Sequence, residues 1–487
     1  MTPFKTNLIL FVPALIYFFI ALYTLPKIGI GWDTSVNLAK GEQVFNFLRT
    51  LNPGFLISGF EKSLYFNEVP GLKNGHPPAF SLISFLLGNL FSRIFGFKYY
   101  FFHLANIFLA TAFLYYLPKY FFYKISKSLL ISVTATFILI SIPYFFVHSI
   151  VNTKDFPVLV FSFFVIMLFL RNFENTLLKL ILISQFFLLA LFIKFTVIFL
   201  LPLYIYLFYK DKILISFLKN NLVKTVGVVA LFIYANIFYF WPNIIFTPIY
   251  ELERLLFVYF HLPANYRNYV PFYYFYYLET PLLYTLLFAL GTLAIFLSKN
   301  KFKLFYFLWV GASLVYLIFI NKQYDTTRQF LFLSIPFVFS IFYFFIYIKG
   351  KRKFIFNLLI AVSLIYCFYL ITLSPYKKVI FTNAIVSQPL NDGWGLTLPV
   401  TLDYVNKNYN TGRIYYSPAS FLLEYYNIKK FEIIYDPFYA DIFITTTKTS
   451  SYVEEQKIRE NFFKKDTNFN ILNNSVEIWV KKSIKSN

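Results

Sequence analysis

Residues 8–25 read LILFVPALIYFFIALYTL, an unbroken apolar run long enough to cross a bilayer. The run follows Lys5, exceeds the length of a signal-peptide core and lacks a small-residue cleavage site, so it is predicted to stay as an uncleaved anchor. Similar runs recur as far as residue 373 and give roughly twelve candidate membrane segments of about 20 residues each. These segments lie at approximately 8–26, 78–97, 100–118, 128–148, 156–170, 177–193, 195–209, 223–241, 279–297, 304–320, 329–348 and 354–373.

Composition supports a membrane protein over a soluble one. The 487 residues are 59% hydrophobic and only 14% charged, which is typical of a polytopic chain. We therefore expect an α-helical polytopic membrane protein with about 11–13 transmembrane helices. The only cysteine, Cys367, excludes a disulfide within the chain and any cysteine-rich metal site.

The net charge of +22 reports orientation, because the basic residues cluster in short gaps between apolar runs. Loops rich in lysine and arginine stay on the cytoplasmic side, so these gaps are predicted to be cytoplasmic, and no nucleic-acid partner is expected. The gaps contain Lys119, Lys124, Lys127, Arg171, Lys179, Lys210, Lys212, Lys219, Lys224, Lys299, Lys301, Lys303, Lys349, Lys351, Arg352 and Lys353.

Counting segments back from the last basic gap assigns the remaining connections to the outer side of the plasma (inner) membrane. These are Asn152–Asp155, Lys194, residues 241–280, residues 321–328 and everything after Ser374. Segment 78–97 breaks the alternation, since it would begin and end outside. It is re-entrant, or it lies along the interface, or one neighbouring helix is miscounted.

The chain changes character near residue 374, where apolar runs give way to mixed charge and turn residues. We predict a transmembrane domain over 1–373 and an extracytoplasmic α/β domain over 374–487. Its predicted helices are Leu402–Asn408, Phe421–Tyr426 and Glu454–Phe463, and its predicted strands are Arg413–Tyr416, Phe431–Tyr435, Asp441–Thr445, Asn468–Leu472 and Val476–Lys481.

Ionisable residues gather on the predicted outer side. Such groups are costly at a membrane boundary unless they serve a substrate, an ion or a partner, so we interpret them as parts of one site. They are Asp33, His76, Lys154, Asp155, Lys194 and Arg328, with Glu251, Glu253, His261 and Glu279 in the loop 241–280.

Each of these residues also has a structural explanation. Asp33 and Asp155 both suit the cap of a following helix, and His76 precedes Pro77 and Pro78, which favour a helix start. Lys154 can pair with its neighbour Asp155 and do nothing further. Arg328 can extend along the interface, although its guanidinium also suits a bidentate phosphate contact. Lys194 lies in a tight turn at the membrane edge, where an unpaired charge is unfavourable.

Taken in order, several short motifs resemble a known family. The chain carries the outer-loop Asp33, the His76-Pro77-Pro78 helix start, Lys154-Asp155-Phe156-Pro157, Ile193-Lys194-Phe195-Thr196 and Arg328-Gln329-Phe330-Leu331-Phe332. Phe240-Trp241-Pro242, Glu279-Thr280-Pro281-Leu282, the stretch Ser374–Val379 and the stretch Asp392–Leu396 extend the likeness over nearly the whole chain. Together they resemble GT-C membrane glycosyltransferases of the glycosyltransferase family 39 and protein mannosyltransferase type.

The resemblance implies a function: transfer of a sugar from a polyprenyl-phosphate donor to a lipid, glycan or protein acceptor at the outer membrane face. It implies Asp33 as the general base, with Asp155, Lys154 and His76 lining the same cavity and Arg328 with Lys194 binding the donor phosphate. His103 stands where relatives commonly carry arginine, and it is assigned to substrate binding.

The chemistry fits these residues independently of the resemblance, since inverting transfer needs a base near the acceptor hydroxyl and cations near the departing phosphate. No cofactor is expected, and no glycine-rich phosphate loop is visible among the 16 glycines. A divalent cation shared by Asp33 and Asp155 stays an alternative. A multi-pass transporter or lipid flippase is the main rival class, although such proteins usually place ionisable groups near the bilayer midplane.

Overall fold

The computed structural model describes most of the chain. It covers residues 3–29, 32–58, 78–246, 248–249, 282–298, 302–319, 331–372, 398–417, 430–446, 453–471 and 474–482, together with Ser420, Leu423, Tyr426 and Ile428.

The part of the chain up to residue 372 is built of helices. These are α1 Pro3–Thr24, α2 Trp32–Thr50, α3 Gly54–Ser58, α4 Ala79–Phe95, α5 Tyr99–Ser126, α6 Leu129–Ser141, α7 Pro143–Val151, α8 Asp155–Leu170, α9 Thr176–Leu191, α10 Phe195–Lys210, α11 Lys212–Asn220, α12 Leu222–Phe240, α13 Asn243–Phe246, α14 Leu282–Leu297, α15 Phe302–Phe319, α16 Leu331–Lys349 and α17 Lys353–Thr372. Every apolar segment predicted from the sequence overlaps at least one of them.

Five helices in the described ranges are long and apolar enough to cross a membrane. They are Phe4–Thr24, Tyr99–Ser126, Leu222–Phe240, Leu331–Lys349 and Lys353–Leu370. The pair α6 and α7, bent by 73°, makes a sixth if it is one broken span, and six further apolar helices have 10–17 residues. The chain is therefore a multi-pass helical membrane protein.

The segment that broke the predicted alternation is α4, and it packs against a helix that the sequence did not predict. Gly41 of α2 lies against Ser81 of α4 so closely that an added Cβ would stand 2.3 Å from the Ser81 carbonyl oxygen. With 17 residues, α4 is about 26 Å long, which is at the lower end of the range that crosses a bilayer. It also exposes an apolar stripe of Leu86, Leu90 and Ile94 at helical spacing. The pair α2 and α4 thus fills the connection between α1 and α5.

The centre of the bundle is formed by α8 and α16, which are buried on all sides over Asp155–Leu168 and Leu331–Phe345. Aromatic rings fill the space between the helices, for example Phe163 stacked on Trp309 at 5.9 Å. A helix that is apolar on every face is stable only when surrounded in this way. These two helices form a rigid interior of the bundle, and the polar residues lie at their ends.

The C-terminal part contains α18 Leu398–Asn408, α19 Val453–Phe462 and a five-stranded sheet of order β2-β1-β3-β5-β4. The strands are β1 Gly412–Tyr416, β2 Phe431–Ile433, β3 Ile442–Thr446, β4 Phe463–Ile471 and β5 Asn474–Lys481. Strand β1 is parallel to β2 and β3, whereas β5 is antiparallel to β3 and β4.

The predicted α/β character of this part is confirmed, and so are the helices near 402–408 and 454–463. The predicted strand 468–472 is longer than expected, since β4 already begins at Phe463. The predicted helix Phe421–Tyr426 and the predicted domain boundary at 373–374 fall largely outside the described residues.

The sheet-containing part contacts the bundle where α1 ends and α5 begins. Helix α18 packs against the turn Leu25–Lys27 that follows α1. The ring of Tyr426 lies 4.6 Å from that of Tyr99, the first residue of α5. The two parts of the chain therefore meet at one end of the helical bundle.

Candidate functional site

The start of α8 is capped by Asn152. Its side-chain oxygen accepts hydrogen bonds from the backbone amides of Lys154 at 3.0 Å and Asp155 at 2.7 Å, which is the usual way to satisfy the first amides of a helix. The alternative that Asp155 serves as the cap is therefore wrong. Its carboxylate, although it begins the helix, is directed to other partners.

The carboxylate of Asp155 forms a buried ion pair with Lys194. The Lys194 ammonium donates to Oδ1 of Asp155, and the Asn152 amide donates to Oδ2 at 3.2 Å. The side chains of Asp155 and Lys194 are only 1% and 12% exposed. Burial makes such a pair depend on its geometry, because an unpaired charge left in the interior is strongly unfavourable.

The turn that presents Lys194 is held by aromatic packing. Its backbone amide closes the end of α9 by donating to Ala190 O at 3.0 Å. On either side of the lysine, Phe192 and Phe195 each lie 5.6 Å from the buried indole of Trp241. Trp241 of the Phe240-Trp241-Pro242 stretch thereby packs against the turn that carries Lys194.

Helix α2 joins this cluster through two hydrogen bonds. The Thr34 hydroxyl donates to Val151 O at 3.3 Å, and the Asn37 amide donates to the Thr153 hydroxyl at 2.8 Å. Asp33 lies in the first turn of α2, directly before Thr34. The structure thus brings the helix that carries Asp33 against the turn that leads into Asp155, although the two are more than 110 residues apart in the chain.

Lys40 is a member of this region that the sequence analysis missed. It lies one helical turn beyond Asn37 and is 3% exposed. Asp33, Asn37 and Lys40 follow a spacing of four and then three residues, which places them on one face of a helix. That spacing is visible in the sequence and is the signal that indicates Lys40.

His103 is buried next to the same region, at the start of α5. Its Nε2–H donates to Gly29 O at 3.3 Å, and one turn later the Asn106 amide donates to Ile150 O at 3.0 Å. Within the described structure, Nδ1 of His103 and Oδ1 of Asn106 have no hydrogen-bond partner. Because His103 is fully buried, it acts here by fixing the chain around Gly29.

Several predicted site residues lie outside the described part of the chain. These are His76, Arg328, Glu251, Glu253, His261 and Glu279. Their described neighbours approach the cluster, since Ala79 N of α4 donates to Phe192 O at 3.2 Å. Helix α16, which begins three residues after Arg328, packs against α7 and α8.

The cluster contains more ammonium groups than carboxylates in its described side chains. Lys40 of α2, Lys154 of the turn before α8 and Lys194 are all largely buried, and Asp155, the partner of Lys194, is the buried carboxylate described in these segments. Such an arrangement suits an anion, because the field of several cations in a poorly solvated site is only weakly screened. Among the described residues no group of three or more histidine, cysteine or acidic side chains could hold a metal ion.

Comparisons with known proteins do not assign a function to the chain, so the assignment depends on the residues described above. No protein-family model matches the chain, and the search of curated proteins gives no match either.

Proposed function

We propose that this protein is a GT-C membrane glycosyltransferase that moves a sugar from a polyprenyl-phosphate donor to an acceptor hydroxyl at the outer membrane face. The observation that carries the proposal is the buried polar cluster in which the start of α2, the Asn152–Asp155 turn and Lys194 meet. A carboxylate-bearing helix next to several buried ammonium groups suits a reaction that needs one base and an anionic leaving group.

The helical hairpin of α8 and α9 supports the orientation. Asp155 and Lys194 lie at one end of the hairpin, whereas Arg171 and Lys179 lie at the other, beside Lys124, whose ammonium donates to Leu170 O. Basic loops stay cytoplasmic, so the cluster faces outward. The C-terminal domain contacts the bundle near His103, whose helix also binds the end of α7, and we place that domain outside as well.

In the proposed reaction Asp33 accepts the proton of the acceptor hydroxyl. The hydroxyl oxygen forms a bond to the anomeric carbon while the bond from that carbon to the phosphate oxygen breaks, and polyprenyl phosphate departs with the electron pair. Lys194, oriented by Asp155, stabilises the phosphate together with Lys154, Lys40 and Arg328. His76 completes the substrate pocket, whereas His103, predicted to bind substrate, instead holds the chain at Gly29. A divalent cation at Asp33 and Asp155 stays an alternative to purely cationic stabilisation.

A transporter or lipid flippase is the second candidate, and one observation favours it. The 73° break between α6 and α7 falls at Pro143, and discontinuous helices often line the substrate sites of transporters. Helix α7, which follows the break, ends at Val151, directly before the polar cluster. A flippase, however, does not require a carboxylate-bearing helix packed beside the cations.

The test is transfer by the purified protein in nanodiscs, with undecaprenyl phosphate carrying a tritiated hexose or pentose as donor and membrane glycolipids as acceptor. We expect labelled product together with free undecaprenyl phosphate in equal amounts. In parallel, liposomes holding the same donor on one leaflet measure its movement to the other. Movement of the donor between leaflets without release of undecaprenyl phosphate would contradict the transferase proposal and support a flippase.

A further inference from the structure

The position of Asp33 depends on the short segment between α1 and α2. This entry segment, Leu25–Gly29, is partly a 3₁₀ turn, and it buries Leu25 and Ile28 in the helical core. Asp33 follows its last residue by four positions. Because so few residues separate them, a displacement of the entry segment is passed on to the start of α2.

The helical bundle holds the entry segment from a single turn. The Tyr99 hydroxyl donates to Pro26 O at 2.6 Å, and the His103 ring donates to Gly29 O at 3.3 Å. Tyr99 and His103 are the first and last residues of the 3₁₀ turn that opens α5. One rigid turn therefore fixes two carbonyl groups on either side of Ile28.

The C-terminal domain contacts both parts of this arrangement. Its first helix, α18, packs against the turn Leu25–Lys27, and the Tyr426 ring packs on the Tyr99 ring at 4.6 Å with an interplanar angle of 47°. Tyr426 is itself anchored, because its amide donates to the carbonyl of the fully buried Leu423 at 3.0 Å. The domain thus reaches the entry segment both directly and through Tyr99.

We propose that Tyr99 and Tyr426 are positioning residues through which the C-terminal domain holds the entry segment, and with it the start of α2. The inference rests on the proposed function only in giving Asp33 a chemical role. Neither tyrosine needs to touch a substrate, since both act through Pro26 and the backbone that follows it. The domain is on this view part of the apparatus that sets the position of the base.

Hydrogen exchange of the full-length protein in nanodiscs tests the positioning without any assumption about activity. Tyr426→Ala should speed exchange in peptides covering residues 25–38 by roughly two- to tenfold, the range that loss of one aromatic pair implies. Tyr99→Phe keeps the ring and loses only the hydroxyl that binds Pro26, and it should raise exchange in the same peptides. Tyr439→Ala, at an exposed tyrosine of the same domain, is the matched control and should leave them unchanged.

If Tyr426→Ala also loosens the sheet strands, Tyr99→Ala removes the same ring pair from the side of the bundle and decides the matter. Unchanged exchange over residues 25–38 in Tyr99→Ala would overturn the proposal. Tyr426→Phe, which keeps the ring, should restore the wild-type exchange pattern.

Turnover supplies the second arm. If the protein transfers sugar, Tyr426→Ala should lower kcat several-fold with little change in the KM for the donor, since Asp33 lies at the loosened start of α2 whereas Lys154 and Lys194 lie on other segments. A rise in the donor KM as large as the fall in kcat would contradict the positioning of Asp33. Absence of transfer by the wild-type protein would remove the proposed function alone, because the exchange result stands by itself.

Discussion

The helical hairpin of α8 and α9 carries an ion pair at each end, and the two pairs differ in what surrounds them. At the basic end Lys179 donates to Asp211 at 2.5 Å and also to Arg171 O at 3.0 Å, while Asp211 caps α11 through the amide of Leu214. Each partner there also closes the end of a helix. That pair is explained by folding alone.

At the other end of the hairpin, the residue that caps the helix is not a member of the ion pair. Asn152 satisfies the first amides of α8, so the carboxylate of Asp155 is not needed for that purpose. It binds Lys194 instead, with Lys154 buried beside it and helix α2 packed against the same turn. We infer that helix termination accounts for the Lys179–Asp211 pair but not for the Asp155–Lys194 pair, which makes the second pair the candidate for function.

The largest expected effect tests whether the two ends differ in function at all. Asp33→Asn keeps the size of the side chain and removes the base, so turnover should fall by about 10²- to 10⁴-fold. Asp211→Asn is the matched control, since asparagine still caps α11 and only the ion pair is lost. Labelled transfer per folded molecule is measured for both variants. Unchanged turnover in Asp33→Asn would remove the base assignment, and equal losses in both would erase the contrast between the ends.

The next comparison sets the two lysines against each other. Lys194→Met and Lys179→Met each leave a buried carboxylate without its partner, which costs about 3–5 kcal/mol of stability. Both should lower the unfolding midpoint, but only Lys194→Met should also abolish binding of undecaprenyl phosphate measured by calorimetry. Combining Asp155→Asn with Lys194→Met should recover most of the stability without recovering binding. Loss of undecaprenyl phosphate binding in Lys179→Met would contradict the proposal, because it would show that binding depends on the Lys179–Asp211 end of the hairpin.

A smaller effect is expected on helix α2. Lys40→Gln removes one buried cation, and loss of a charge-assisted hydrogen bond should raise the donor KM by about ten- to a hundredfold. Arg49→Gln, at an exposed position near the far end of the same helix, should leave the KM unchanged. An altered kcat with a constant KM would contradict a role for Lys40 in phosphate binding.

The sequence predicted the apolar helices well because the bilayer requires long apolar runs that local composition reveals directly. It did not predict α2, whose polar residues give no hydropathy signal and whose burial depends on packing against α4. The close approach of Gly41 to Ser81 and the contact between the Phe45 and Phe85 rings at 5.8 Å show that the two helices belong together.

The site was predicted in part. Counting charged gaps predicted that Asp155 and Lys194 lie on the same side of the membrane, but it did not predict their pairing across 39 residues. Asn152 and Asp155 are both good capping residues, and local sequence cannot say which of them fills that role. In the C-terminal domain the strands were largely visible, whereas the order β2-β1-β3-β5-β4 depends on pairing between distant strands that the individual strand patterns do not encode.

A third ion pair, in the C-terminal sheet domain, shows how far the two buried pairs depart from an ordinary one. Burial raises the pKa of Asp441, but bonds from the Arg413 guanidinium and amide, with the charges of Arg413 and Lys481, outweigh it and hold that pKa below its usual value. Ionised Asp441 therefore stabilises the fold above the pKa of an unfolded aspartate, about 3.9. This contribution is lost as the pH falls through the lower folded pKa.

Asp441→Asn should lower the unfolding midpoint of the full-length protein slightly at about pH 7, and this difference should vanish at about pH 2. Asp403→Asn, in an exposed pair with Lys407, is the control and should change the midpoint at neither pH. A difference between wild type and Asp441→Asn that grows as the pH falls would contradict the sign of this linkage.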